Sequence, residues 1–165
     1  MATPSTDQIE KHVILRAPRD RVWQALVDAN RFGQWFGAHF DGAFVQGALL
    51  SGHIVPTTMD DEIARMQAPH TGLPLLVEIV SIDPQIRFAF RWHPHAVDRN
   101  ADYCAEPTTL VEFTLEDVDG GVRISVTESG FDALPRARRA ASFEQNAEGW
   151  TMQMRLIENY LARSR

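Results

Sequence analysis

The chain has little of what several large classes of protein require. It contains one cysteine, Cys104, and therefore forms neither an intramolecular disulfide nor a multi-cysteine zinc site. No apolar run approaches the ~18 residues that a membrane-spanning helix needs. Residues 1–8 are polar and lack the apolar segment of a secretory signal. We therefore expect a cytoplasmic protein without a membrane span, in which residues 1–8 form a flexible tail.

Positive charge is also scarce. Lysine and arginine number 16 against 22 aspartate and glutamate residues, which gives a formal charge of −6 at pH 7. This balance argues against a nucleic-acid partner, which would need a basic patch. The sequence contains no Gly-x-Ser-x-Gly nucleophile elbow, no glycine-rich phosphate loop and no dinucleotide fingerprint. It predicts no cofactor and no catalytic residue, and it leaves open whether the protein is an enzyme.

What is present is an ordinary globular composition. Hydrophobic residues make up 44% of the 165 residues, and a domain of this size buries roughly 70% of the surface that its unfolded chain exposes. The sequence shows no internal repeat and no low-complexity segment. We therefore expect a single domain over residues 1–165.

Helical patterns stand near both ends of the sequence. After a predicted strand at residues 9–16, Pro18 suits the first turn of a helix that extends to about residue 28. Asn30 is placed to cap a second short helix that ends near residues 33–35. The last helix starts after Pro135, and its apolar residues recur at alternating spacings of four and three, which predicts a helix lying on a sheet.

Between these helices the sequence predicts strands, at residues 39–43, 48–55, 75–82, 85–93, 108–118 and 122–130. Phe88, Phe90 and Trp92 alternate with Arg87, Ala89 and Arg91. This period of two is typical of an antiparallel sheet with one buried face. Residues 56–74 interrupt the pattern and are predicted to be an inserted loop with a helical turn or two. Such a loop is either a gate over a cavity or a plain excursion at the surface.

Several blocks of sequence, in order along the chain, resemble a known family. The resemblance extends from about residue 9 to residue 161 and is to the homologues of the heat-shock-protein-90 ATPase activator. These belong to the START-like, or SRPBCC, superfamily with the Bet v-type helix-grip fold. The resemblance implies an α+β fold in which a curved antiparallel sheet of six to seven strands wraps around a long C-terminal helix, with two short helices after the first strand. The blocks are Ala17-Pro18, Val22-Trp23, Ala25-Leu26, Trp35-Phe36, Arg87-Phe88, Phe90, Trp92, residues 109–115, Gly130-Phe131 and Gly149-Trp150.

A sheet curled around a helix encloses an interior, which is the candidate binding site. A ligand site is mostly apolar with a few placed polar groups, and the residues predicted to face the interior have that composition. The alternative is a filled core made of the same side chains. The predicted lining comprises Trp35, Phe36, Phe40, His53, Phe88, Phe90, Trp92, Val111, Phe113, Trp150, Met154 and Ile157, with Phe44 near one end.

Two long loops, residues 56–74 and 94–107, are predicted to surround the mouth of this interior. Polar ligand contacts are expected there because loops held by a rigid scaffold often carry specificity. The candidates are His93, His95, Arg99, Asp102 and Tyr103. A His-x-His pair lacks a fixed third ligand, so no metal site is predicted.

Three functions are compatible with the sequence. The preferred one is a cytoplasmic protein that binds a hydrophobic small molecule, in an oligomeric state that the sequence does not define. The second is an enzyme of cyclase or hydrolase type that uses the same cavity, with His53, His93 and His95 as proton carriers beside Glu78 or Asp102. The third, implied by the resemblance, is a co-chaperone-like domain that stimulates a chaperone ATPase.

Overall fold

The computed structural model describes residues 7–98 and 100–163. Residues 1–6 of the predicted tail and the predicted rim residue Arg99 lie outside the described residues. The prediction of a tail is wrong for Gln8, which pairs with Ser129 as the first residue of a strand. The elements, in chain order, are β1 (Gln8–Leu15), α1 (Arg19–Val27), α2 (Ala29–Phe36), β2 (Ala38–Phe40), β3 (Leu49–Ile54), α3 (Asp61–Gln67), β4 (Pro74–Asp83), β5 (Arg87–Trp92), β6 (Thr109–Val118), β7 (Gly121–Ser129) and α4 (Arg136–Arg163).

The seven strands form one antiparallel sheet in the order β1-β7-β6-β5-β4-β3-β2. From β2 to β7 each strand pairs with the next along the chain, whereas β1 pairs with β7 and forms one edge of the sheet. The predicted period of two is present in β5, where Phe88 and Phe90 are buried on the inner face, although Ala89 on the other face is buried as well. The buried residues of β6 and β7 alternate in the same way and lie on the inner face. The predicted α+β helix-grip fold is thereby confirmed.

Two short helices follow β1, as predicted, but the cap of the second differs from the prediction. The side chain of Asp28 accepts the backbone N–H of Arg31 at 3.1 Å, so Asp28 caps α2. Asn30 lies inside the first turn and does not cap it. Gly37 ends the helix in a left-handed conformation, with φ of 97°.

The long helix α4 packs against the sheet and against α2. Trp150, Met154 and Ile157 lie on its buried face, at the spacing expected of an amphipathic helix. None of the helices within residues 7–98 and 100–163 is both long and apolar enough to cross a membrane.

The inserted segment, residues 56–74, contains α3 and a short 3₁₀ turn at Ala68–His70. Ile63 of α3 is buried. Side chains of the end of α4 hold the start of the segment, since Asn159 donates to the carbonyl of Met59 at 3.1 Å and Arg163 donates to that of Thr58 at 2.9 Å. The segment is therefore fixed to α4 by hydrogen bonds.

Candidate functional site

The inner face of the sheet and the facing helix α2 bring a cluster of aromatic rings together. Phe32 lies at its centre, with its ring centroid 4.9 Å from that of Phe36, 5.6 Å from Phe44 and 6.3 Å from Phe90. Most of these pairs are edge-to-face or tilted, the arrangement that ring quadrupoles favour. The rings fill most of the space between α2 and the sheet.

A narrow crevice remains at one side of this cluster. Its free volume is about 10 Å³, close to the minimum that a single water molecule needs and far below the ~300 Å³ of a small ligand pocket. A ligand could enter only by displacing rings. The crevice is lined by Phe32, Phe36, Phe40, Phe44, Leu75, Val77, Phe90 and Trp92.

Phe44, which lines the crevice, belongs to a loop and not to a strand of the sheet. It belongs to the connection between β2 and β3, residues 41–48, and its ring lies 5.1 Å from that of Phe40 and 5.2 Å from that of Phe88. The next residue, Val45, is 57% exposed. Loops move more readily than paired strands, and Phe44 is the one residue among those lining the crevice that belongs to a loop.

The predicted lining residues fall into three groups. Four of them border the crevice: Phe36, Phe40, Phe90 and Trp92. Seven are buried in the surrounding core: Trp35, Phe88, Val111, Phe113, Trp150, Met154 and Ile157. The structure places His53 elsewhere.

His53 does not face the interior, which corrects the prediction. In the pairing of β2 with β3, His53 stands opposite His39, and Phe40 stands opposite Gly52. Paired residues share a face, so His53 and His39 lie on the outer face when Phe40 points inward, and their rings are 5.3 Å apart. The sequence placed His53 inside because a strand pattern alone does not show which of its two faces is the inner one.

Beside the aromatic cluster lies a buried carboxylate, Glu128, with no exposed surface. Its Oε1 accepts from Asn146 Nδ2 at 2.9 Å and from Trp150 Nε1 at 2.8 Å. Its Oε2 accepts from Trp92 Nε1 at 2.8 Å and from Thr109 Oγ1 at 2.6 Å. Four donors thus use the four acceptor positions of one carboxylate.

Sequence reasoning missed Glu128, although β7 carries a signal. Val122, Ile124 and Val126 occupy the inward positions of that strand, and Glu128 takes the next one. A glutamate at a position where the period of two calls for an apolar residue is unusual, because an isolated buried charge is costly.

The predicted rim residues lie in the loop after β5, which packs on the first turns of α4. Arg138 organises this loop. Its guanidinium contacts Glu106 at 2.8 Å, donates to the carbonyls of Pro94 and His95 at 3.1 Å each, and lies 4.7 Å from the ring centroid of Tyr103. Arg138 was not singled out as a site residue because contacts to loop carbonyls leave no pattern in the sequence.

The two histidines of this loop favour the neutral form. Burial lowers the pKa of His93, and the charge of Arg138 lowers it further, while Glu106 and Asp102 oppose the change. Burial, followed by the charges of Arg138 and His70, lowers the pKa of His95.

The proton carriers suggested for an enzyme do not form one group. His53 lies on the outer face of β3, as does Glu78 on β4, which stands opposite Leu49. His93 and Asp102 belong to the loop on α4, where Asp102 accepts the backbone N–H of Cys104 at 3.0 Å. Among the described residues, no three histidine, cysteine, aspartate or glutamate side chains are grouped closely enough to hold a metal ion.

Comparison with known proteins gives matches of two kinds. Residues 16–162 match the family model described as Activator of Hsp90 ATPase homolog 1-like protein. The solved structure of protein MLL2253 from Mesorhizobium loti is 18% identical with a TM-score of 0.69, and the match covers 96% of this chain and 98% of that chain. Protein CV1439 from Chromobacterium violaceum is 16% identical, also with a TM-score of 0.69, over 95% and 98% of the two chains. At these identities the structures show a shared fold alone, and no curated protein sequence matches this chain.

Proposed function

Because this chain belongs to the family of Activator of Hsp90 ATPase homolog 1-like proteins, we propose that it is a single-domain cytoplasmic protein that binds a hydrophobic small molecule. The observation that carries the proposal is the ring-lined crevice between α2 and the sheet. Its eight lining residues are all aromatic or aliphatic, which suits the apolar body of a ligand. The helix-grip fold alone is insufficient, since one fold hosts many functions.

Binding on this proposal requires a ring to move, because the crevice holds about 10 Å³ at rest. Phe44 is the ring that moves. It leaves the cluster with the β2–β3 loop, and the space that it vacates joins the crevice. The ligand then replaces the contacts that the Phe44 ring makes with Phe40 and Phe88.

The experiment is a titration with the neutral dye Nile red, monitored by fluorescence, with native mass spectrometry to establish stoichiometry. We expect one dye per chain. Phe44→Ala should bind the dye more tightly, because the truncation opens the crevice. Leu75→Trp should bind it more weakly, because the larger side chain fills the crevice from β4.

Ile157→Ala is the matched control. Ile157 is fully buried on α4 and does not line the crevice, so its truncation loosens the core without opening the proposed site. Equal dye binding by Ile157→Ala and Phe44→Ala would show that the dye reports loosened packing. Absence of binding to both the unchanged protein and Phe44→Ala would remove the proposal.

A further inference from the structure

Trp92 belongs to both the crevice and the buried carboxylate. Its ring lines the crevice, and its indole N–H donates to Glu128 Oε2 at 2.8 Å. The other three donors to Glu128 do not line the crevice. Trp92 and Asn146 are half-buried, whereas Trp150 and Thr109 are buried. Because Trp92 both lines the crevice and is partly exposed, it is the donor that a ligand in the crevice can displace from Glu128 toward solvent.

The group that the Trp92 indole contacts, the Glu128 carboxylate, is an acceptor of hydrogen bonds. Within the described residues, Glu128 forms no ion pair, and all four of its hydrogen bonds come from neutral groups. Burying a carboxylate without a cationic partner costs free energy that a nonpolar residue would avoid. A ligand that brings a donor can therefore only replace one of the four present donors, a ligand that brings a positive charge would add the missing cation, and a ligand that brings a carboxylate would be repelled.

A second buried acceptor, the Gln153 side-chain oxygen, lies on α4. Gln153 donates through Nε2 to the carbonyl of Phe36 at 3.0 Å, which directs its Oε1 away from that carbonyl. The Oε1 atom is buried and has no hydrogen-bond partner, and a buried unsatisfied acceptor is costly. Gln153 follows Trp150 by three residues and so lies on a neighbouring part of the same helix face. The ring of Phe36 contacts both Trp92 and Trp150, with centroids 5.9 and 6.1 Å away.

We propose that the crevice continues to Glu128, and that its ligand is a planar apolar molecule with an N–H or O–H donor that takes the place of the Trp92 indole on Oε2. This inference rests on the proposed function and adds the ligand's chemical class. The aromatic rings hold the apolar body of the ligand, and Glu128 accepts its donor. A ligand of the same shape without a donor gains only the first of these interactions.

Indole and benzofuran are the matched probes, since they share size and planarity but only indole carries a donor. In the unchanged protein, indole should displace Trp92, so that the nuclear magnetic resonance signal of the Trp92 indole N–H moves toward that of a solvated indole. The N–H signal of Trp35, which donates to the Ala25 carbonyl at 2.8 Å, should stay in place. Benzofuran should leave the Trp92 signal unchanged.

Trp92→Phe removes the competing donor while keeping an aromatic ring. It should bind indole about 10- to 100-fold more tightly than the unchanged protein does, the range expected for a hydrogen bond to a charged group. Its affinity for benzofuran should change much less. Thr109→Val is the control, since it frees the same oxygen by removing a donor that does not line the crevice, and it should not increase the affinity for indole.

The outcomes separate the two proposals. Equal binding of indole and benzofuran, with the Trp92 signal unmoved, would overturn the role of Glu128 and leave hydrophobic binding in place. An equal gain in Thr109→Val and Trp92→Phe would overturn the assignment of the ligand to the Trp92 position. Failure of every probe to bind either protein would overturn both proposals. If Trp92→Phe does not fold, the titration of the unchanged protein decides.

Discussion

At the scale of single residues, Glu128 determines how the inner face of the sheet meets α4. Its two oxygens connect β5 through Trp92, β6 through Thr109 and α4 through Asn146 and Trp150. Hydrophobic contacts among these elements are not directional, whereas four hydrogen bonds to one carboxylate are. The carboxylate therefore defines the position of α4 along the sheet as well as the polar end of the crevice.

Replacing Glu128 by alanine should lower the free energy of unfolding by about 4 kcal/mol or more. The substitution leaves four buried or half-buried donors without an acceptor, and each such group costs about 1–3 kcal/mol. Urea unfolding monitored by tryptophan fluorescence measures the loss.

Thr109→Val is the comparison for this prediction, because it removes one donor and leaves three in place. We expect it to cost about 1–2 kcal/mol. A loss of the same size for the two variants would contradict the view that the carboxylate holds all four donors. If Glu128→Ala does not fold at all, Glu128→Gln retains one acceptor oxygen and should fall between the two.

Sequence alone identifies most of the inward-facing aromatic residues but not the groups that make contacts across the fold. Phe88, Phe90 and Trp92 are visible as alternate residues of one strand. Glu128 meets Trp92 only because β5, β6 and β7 are neighbours in the sheet. Arg138 was missed and His53 was placed on the wrong face for the same reason, since the surroundings of both residues depend on packing between distant segments.

At the scale of elements, the end of α2 shows how a turn residue and a neighbouring segment depend on each other. Gly37 adopts φ of 97°, a conformation that glycine allows and most other residues avoid. A Cβ atom at Gly37 would lie 2.5 Å from Gln67 Oε1. Gln67 in turn receives the backbone N–H of Thr57 at 2.8 Å and donates to the Phe36 carbonyl at 3.0 Å.

Gly37→Ala should therefore destabilise the protein by more than the ~1 kcal/mol of the conformational change alone, because the methyl group also displaces Gln67. Gly149→Ala is the matched substitution. Gly149 lies within α4, and a Cβ atom there would have no neighbour within 4 Å. It should stabilise the protein by about 0.5–1 kcal/mol through helix propensity. Thermal unfolding of both variants measures the difference, and a stabilising Gly37→Ala would contradict the assigned contact.

The elements themselves were largely predictable. Pro18 and Pro135 mark the starts of α1 and α4, and Asp119-Gly120 marks the β6–β7 turn. These are local signals, and local signals set where elements begin and end. The cap of α2 was misassigned by two residues, from Asp28 to Asn30, because both residue types are good caps and only the backbone conformation decides between them.

At the scale of the whole molecule, the interior is filled and yet contains polar groups. The rings around Phe32 leave about 10 Å³ in the crevice, so stability at rest comes from a packed core. If the proposed function is correct, the two alternatives predicted from the sequence, a hollow site and a filled core, are two states of the same interior. Displacement of Phe44 and Trp92 converts the second state into the first.

The stability of the whole molecule should depend on pH through the loop that packs on α4. The lowered pKa values of His93 and His95 mean that the unfolded chain binds protons more readily than the native protein does. Stability is therefore at its full value above the ordinary histidine pKa of 6.5 and falls as the pH drops below it. Protonated histidines would also stand beside Arg138, whose guanidinium holds the loop carbonyls.

The melting temperature should accordingly be lower at pH 5.5 than at pH 7.5, and His95→Asn should reduce the difference. Asparagine does not titrate, and it tolerates the positive φ of 49° at this position better than most residues. The double variant with His93→Asn should reduce the difference further, because burial disfavours the charge on both rings. A decrease in melting temperature as large in the double variant as in the unchanged protein would show that other groups set the pH dependence. If the decrease disappears in the double variant, protonation of these two imidazoles accounts for the loss of stability at low pH, since the substitutions leave Arg138 and its carbonyl partners in place.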